Sequence, residues 1–283
     1  MLSGPRTFGF LLRRSLVAAF DDGCLGIAKG AAYSALLSFF PVLTSAATIL
    51  VQTRAQFVSN AIENSLSEIV PPGSETLVME QFRVAGARPM TLLVIAGLVS
   101  LWAASGVIKS LIEGFHAAYR VPRNRGFLSQ SGLAMSLVLL CAVPLLCASV
   151  LIVFGGQVES AVLHWLKVDQ ASRSLASLWS WVSRIMRYAV AFGAVAAVAA
   201  CLYYLGPRRR QRWRYVWPGS ALATVLWLLA TSVFGWYVRH VAHYNVMYGS
   251  IGAGIALLVW MYLLAVIALI GCEFNAACER AAA

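Results

Sequence analysis

The residues able to do chemistry are few, and their spacing narrows what they can do. Asp21 and Asp22 are adjacent, Lys109 and Glu113 are four apart, and Glu273 stands two before Asn275. Metal-assisted phosphodiester cleavage needs clustered carboxylates or histidines. Asp21-Asp22 is a lone pair with a helix-start pattern, and Lys109 and Glu113 can pair along one helix face. His240 and His243 lie three apart beside Arg239 and Tyr244, but a metal site needs a third ligand. No HExxH occurs. No catalytic residue, metal or cofactor is therefore expected. The strongest chemical signal is Pro207-Arg208-Arg209-Arg210-Gln211-Arg212-Trp213-Arg214-Tyr215-Val216-Trp217-Pro218, five arginines interleaved with three aromatics. That mixture suits single-stranded nucleic acid, and it equally suits anionic lipid headgroups beneath an aromatic belt.

The elements that must carry these residues decide between the two. Of 283 residues, 60% are hydrophobic and 12% charged, with a mean hydropathy of +0.76. Soluble domains run at roughly 45–50% and 25%. A water-soluble globule and a disordered chain are both excluded. Apolar runs of spanning length cover 30–53, 89–108, 126–158, 188–205, 215–238 and 250–271. They are continuous rather than alternating, so the fold class is all-α: a polytopic bundle of six transmembrane helices. Residues 1–29 form a leading segment, 30–275 the membrane domain and 276–283 a tail. No cleavable leader is expected in the first 29 residues.

Alternate sides of these runs differ in charge. One side holds Arg6, Arg13, Arg14, Lys29, Lys109, Arg120, Arg123, Arg125, the five loop arginines and Arg280, against Asp21, Asp22, Glu113, Glu273 and Glu279. Of the net charge of +11, +9 falls there and +2 on the other side. The positive-inside rule then places both termini in the cytoplasm. Topology absorbs the basic excess, so the partners expected are anionic lipids, with envelope proteins or a second copy of the chain as further options, and not nucleic acid.

Within the runs, Pro41 frees the carbonyl of Leu37, which Ser34, Ser38 or a neighbouring helix would satisfy, and Pro144 interrupts the third span in the same way. The stretch from Phe8 to Phe20 reads as a basic surface helix. Val58, Ile62, Leu66 and Ile69, and again Leu175, Leu178, Trp179 and Val182, repeat at helical spacing and read as amphipathic helices on the outer side. The small residues of Gly249-Ser250-Ile251-Gly252-Ala253-Gly254 indicate tight helix packing. The six cysteines lack any CxxC and read as small buried hydrophobes. Glu273 and Asn275 are expected near the membrane interface. A lipid-facing groove bordered by Tyr33, Ser34, Ser38, Pro41, Lys109, Glu113, Tyr248 and Asn275 is the candidate site. Arg208, Arg209, Arg210, Arg212 and Arg214 are candidate headgroup contacts.

Ala31-Ala32-Tyr33-Ser34-Ala35-Leu36-Leu37-Ser38-Phe39-Phe40-Pro41 resembles the first-span signature of the YihY/BrkB family of bacterial inner-membrane proteins. Tyr204-Leu205-Gly206-Pro207 with the basic loop and Pro218-Gly219 resembles its fourth-loop pattern. The closing signature is matched by Tyr248-Gly249-Ser250-Ile251-Gly252-Ala253, Leu258-Val259-Trp260-Met261-Tyr262 and Gly271-Cys272-Glu273-Phe274-Asn275-Ala276. Cys272 stands where the family often has alanine. The likeness spans about residues 20–280. It implies six helices in the cytoplasmic membrane and supplies no catalytic residue. Family labels include virulence, serum resistance and an older ribonuclease BN name, and movement of envelope lipids has been suggested. The expectation is a transporter or flippase-like handler of an envelope lipid or other amphiphile. The alternatives are an envelope scaffold and, on the older label, a ribonuclease, for which the carboxylates are too dispersed.

Overall fold

The computed structural model describes residues 5–52, 90–122, 126–165, 173–207, 209, 211–240 and 249–282. Its helices are α1 (Pro5–Asp21), α2 (Cys24–Gln52), α3 (Met90–Ala118), α4 (Phe127–Trp165), α5 (Arg173–Leu205), α6 (Trp217–His240) and α7 (Gly249–Ala282). A 3-10 turn at Trp213–Tyr215 precedes α6. There is no strand among the described residues. Among the described residues, six stretches are long and apolar enough to cross a membrane: Cys24–Ala46, Met90–Ala118, Leu128–Leu151, Trp181–Leu205, Trp213–His240 and Ile251–Ala282. These correspond to the six runs read from the sequence.

The connections at the basic end are built from local chemistry. α1 stops where Gly23 takes φ +69 and its amide bonds to the Phe20 carbonyl at 3.1 Å. α3 ends in a Schellman motif: the Val121 amide reaches the His116 carbonyl at 2.9 Å and the Arg120 amide reaches Ala117 at 3.0 Å, with Pro122 just beyond. The left-handed position, usually glycine, is Arg120 at φ 53. Pro218 sits in the first turn of α6, where its missing N–H costs nothing.

The helices pack as a ring. α3 lies beside α4, α4 beside α5, α5 beside α6, α6 beside α7, and α7 closes back on α3. α2 fills the outer groove between α3 and α7, and α1 lies along α7. Every residue from Gly271 to Cys278 is buried. A helix hidden on all faces is wrapped by neighbours rather than lying at a surface. The hydrophobic core centres there, on Cys24, Ala28, Leu111, Phe115, Tyr203 and Leu269.

Several elements differ from expectation. The Leu175–Val182 segment is not a separate helix, because nothing between it and Tyr188 breaks the chain; α5 runs unbroken for 33 residues, about 50 Å, against a hydrocarbon core of about 30 Å. α7 continues past Gly271 to Ala282, through the expected tail boundary, and α2 begins at Cys24, within the expected leading segment. Pro41 and Pro144 both sit inside continuous helices. Ser38 does not serve the carbonyl freed by Pro41; its hydroxyl donates to Ala35 at 2.9 Å. The Phe8–Phe20 stretch is helical, as expected. The Val58–Ile69 stretch and His243 lie outside the described residues.

Candidate functional site

The proposed groove residues do not converge on one surface. Tyr33 is 62% exposed on the outer face of α2. Ser34 is packed into the α2–α3 contact, where a Cβ on Gly106 would come within 2.8 Å of its hydroxyl. One turn away Gly30 faces Ser110. Pro41, Lys109 and Glu113 are partly buried. Tyr248, Arg208 and Arg210 lie outside the described residues. Arg209 is already engaged: it pairs with Glu279 at 2.5 Å and lies over the Tyr119 ring at 5.3 Å. Burial pushes the Tyr119 phenol well above its ordinary value, so it stays neutral under that cation. Arg212 and Arg214 are exposed, with Trp213 between them. His240 stacks on Trp236 at 5.7 Å and bonds to its carbonyl, a helix-end contact rather than a metal site.

Asn275 is on the buried stretch of α7 that follows Gly271. It is fully buried and bridges two helices. Its Oδ1 accepts from the Gly219 amide at 2.6 Å, and its Nδ2 donates to the Val216 carbonyl at 2.9 Å. Gly219 is in the first turn of α6, where amides lack intrahelical partners. Asn275 thus caps α6 from α7. The approach is so close that a Cβ on Gly271 would fall 2.8 Å from the Gly219 carbonyl and 2.5 Å from the Tyr203 hydroxyl.

Tyr203 is the centre of this knot. It is 1% exposed, donates to the Ala268 carbonyl at 2.7 Å and meets Phe115 edge-on at 5.3 Å. Gln211 reaches back to donate to the Tyr203 carbonyl at 2.9 Å, which fastens the basic loop to the end of α5. Gly206 lets Phe115 pack against the same turn. Sequence reasoning passed over Tyr203 and Gln211. Their signal was the pair of Gly/Pro punctuations, Gly206-Pro207 and Pro218-Gly219, which mark close backbone approaches on either side of the loop.

On the other side of Tyr203 the ring opens into an apolar cavity of about 220 Å³. Its walls come from α4, α5, α6 and α7, including Leu145, Val198, Leu202, Thr224, Trp227 and Leu264, and Tyr203 and Ala268 form its floor. The Thr224 hydroxyl is satisfied by the Ser220 carbonyl at 2.8 Å and that of Tyr203 by Ala268. No wall hydroxyl therefore calls for water. Leu145, next after Pro144 in α4, is the residue that this helix lends to the cavity wall.

Glu273 is also fully buried at the basic end. The Arg280 guanidinium stands 3.7 Å from one of its carboxylate oxygens, and neither oxygen has a hydrogen-bond partner among the described residues.

Comparison with known proteins places the chain. It is 28% identical over 249 residues to the "putative ribonuclease-like protein YfkH" of Bacillus subtilis (strain 168), covering 87% of this chain and 86% of that one. A "UPF0761 membrane protein" of Tolumonas auensis is 26% identical over 277 residues, covering 94% and 86%. A protein with the same description from Alkalilimnicola ehrlichii is 26% identical over 257 residues; that match covers 90% of this chain and 55% of the longer relative. No solved structure matches. The model of the family described as virulence factor BrkB matches residues 16–283. The chain therefore belongs to the BrkB family of integral membrane proteins.

Proposed function

We propose that this protein handles an amphiphile of the bacterial envelope, holding its hydrocarbon part in the α4–α7 cavity, in a multi-pass arrangement in the inner membrane with both termini cytoplasmic. The observation that carries this reading is the apolar cavity above a floor tied together by Tyr203. Apolar cavities take up small hydrocarbons, and this one, open to its surroundings, has an apolar lining and no unsatisfied wall hydroxyl. A chain entering from the bilayer gains close packing rather than escape from water. Selectivity would then come from shape and from the headgroup. Arg212 and Arg214, exposed next to Gln211 and its bond to the cavity floor, supply positive charge for an anionic headgroup.

The ribonuclease-like name of the Bacillus relative finds no support in residue placement. Asp21 is exposed at the end of α1, while Glu113 is partly buried on α3. Native mass spectrometry of detergent-purified protein, after incubation with anionic and zwitterionic phospholipids, tests the proposal. Wild type should retain an anionic phospholipid. Ala223→Trp, which fills the cavity, should lower retention about tenfold, while Leu228→Trp, on the exposed face of α6, should not. Equal retention by the two variants would overturn the reading.

A further inference from the structure

We propose that Glu273 and Asp22 together bind a proton at the basic end of the bundle, and that this proton ties the α1–α2 turn to α7. Glu273 lies two residues beyond the apolar run that ends at Gly271, on the buried continuation of the helix. It is fully buried and neither carboxylate oxygen meets a hydrogen-bond donor. Asp22 is in the turn between α1 and α2, two residues before Cys24, which packs in the same buried cluster as Cys272 beside Glu273, and the Asp22 carboxyl acts on that of Glu273. Two carboxylates are acceptors only. Their contact becomes a bond when one of them carries a proton, and a buried acidic pair favours holding it.

The groups around the pair fit this assignment. From α7 come Arg280, 3.7 Å away and outside hydrogen-bonding distance, and the Cys272 thiol. From the start of α2 comes the Cys24 thiol, and from the turn after α3 comes Arg120. Arg120 holds a left-handed backbone, φ 53, that glycine would adopt without strain. An arginine there adds a positive charge that acts on Glu273. Two cations against two carboxyls allow the site to hold one proton or release it without stranding a large net charge. Asp22 is only half-buried and provides the exchange route to solvent. Binding is plain protonation: one solvent proton adds to a carboxylate oxygen, and it returns to solvent on release. The site is independent of whether the cavity binds an amphiphile.

Infrared difference spectroscopy of the full-length protein in nanodiscs tests this. Wild type at neutral pH should show a protonated-carboxyl C=O band that shifts in deuterium oxide and fades as pH rises. The band should vanish in Glu273→Gln. It should also vanish in Asp22→Asn, whose amide donates to Glu273 and lets it ionise. Thermal unfolding gives a second readout. A carboxyl that is protonated in the folded protein and ionised in the unfolded one makes stability fall as pH rises. The wild-type Tm should therefore decline with pH, while that of Glu273→Gln should run flat. A band that survives in Glu273→Gln overturns the site, and one lost only in that variant overturns the pairing with Asp22. Loss of the band on exchanging choline for sodium ions would assign the site to a metal cation instead.

Discussion

Replacing Asn275 by alanine tests the packing on which the basic end depends. The change removes the donor to the Val216 carbonyl and the acceptor of the Gly219 amide. Val216 keeps a second partner, the Ser220 amide at 3.2 Å, so its loss is one ordinary hydrogen bond, about 0.5–1.5 kcal/mol. Gly219 has no other acceptor in the first turn of α6 and is buried, so its orphaned amide costs about 1–3 kcal/mol. The total is about 1.5–4.5 kcal/mol. Denaturant unfolding in mixed micelles should register it, and amide exchange at Gly219 should accelerate with the rest of α6 unchanged. Asn275→Asp keeps the acceptor, loses the donor and sets a negative oxygen against the Val216 carbonyl, so it should rank at least as low as Asn275→Ala. A loss under about 0.5 kcal/mol, with Gly219 exchange unaltered, would refute the capping role.

Other substitutions separate the knot from its surroundings. Gly271→Ala drives a Cβ to 2.5 Å from the Tyr203 hydroxyl and 2.8 Å from the Gly219 carbonyl, and should cost about 1–3 kcal/mol or more in unfolding experiments. Gly254→Ala, with nothing within 4 Å of the new Cβ, should be neutral or stabilise the helix by up to about 1 kcal/mol. Tyr203→Phe removes one bond to a carbonyl on α7 and should cost about 1 kcal/mol with the fold retained, read as a lowered unfolding midpoint. Glu279→Ala breaks the partly exposed pair with Arg209 and should change stability by no more than about 1 kcal/mol, less in high salt.

The gross architecture was legible because it rests on composition. Long apolar runs have one viable conformation in lipid, and arginine placement marks one end. The detail at that end was not, for reasons visible in particular residues. The apolar run stops at Gly271, which placed Glu273 and Asn275 near the membrane interface and left their burial unread. The helix instead continues and is covered by α1, α2 and α6, which hydropathy does not register. Tyr203 and Tyr204 are adjacent and of one type, yet only Tyr204 faces outward, at 36% exposure. Ser34 and Asn275 were grouped as polar groove residues on chemistry alone. The structure uses Ser34 in a helix contact and Asn275 as a cap, roles fixed by glycines 106 and 219 on other helices. Partners so far apart in sequence leave no local pattern.

The most direct test of the account is a density map of the purified protein in nanodiscs made with anionic phospholipid. The account predicts elongated density inside the α3–α7 ring, lying against Leu145 and Trp227 and ending on Tyr203. A ring collapsed around an empty centre, or a water-filled channel running past Tyr203 to the basic loop, would contradict it.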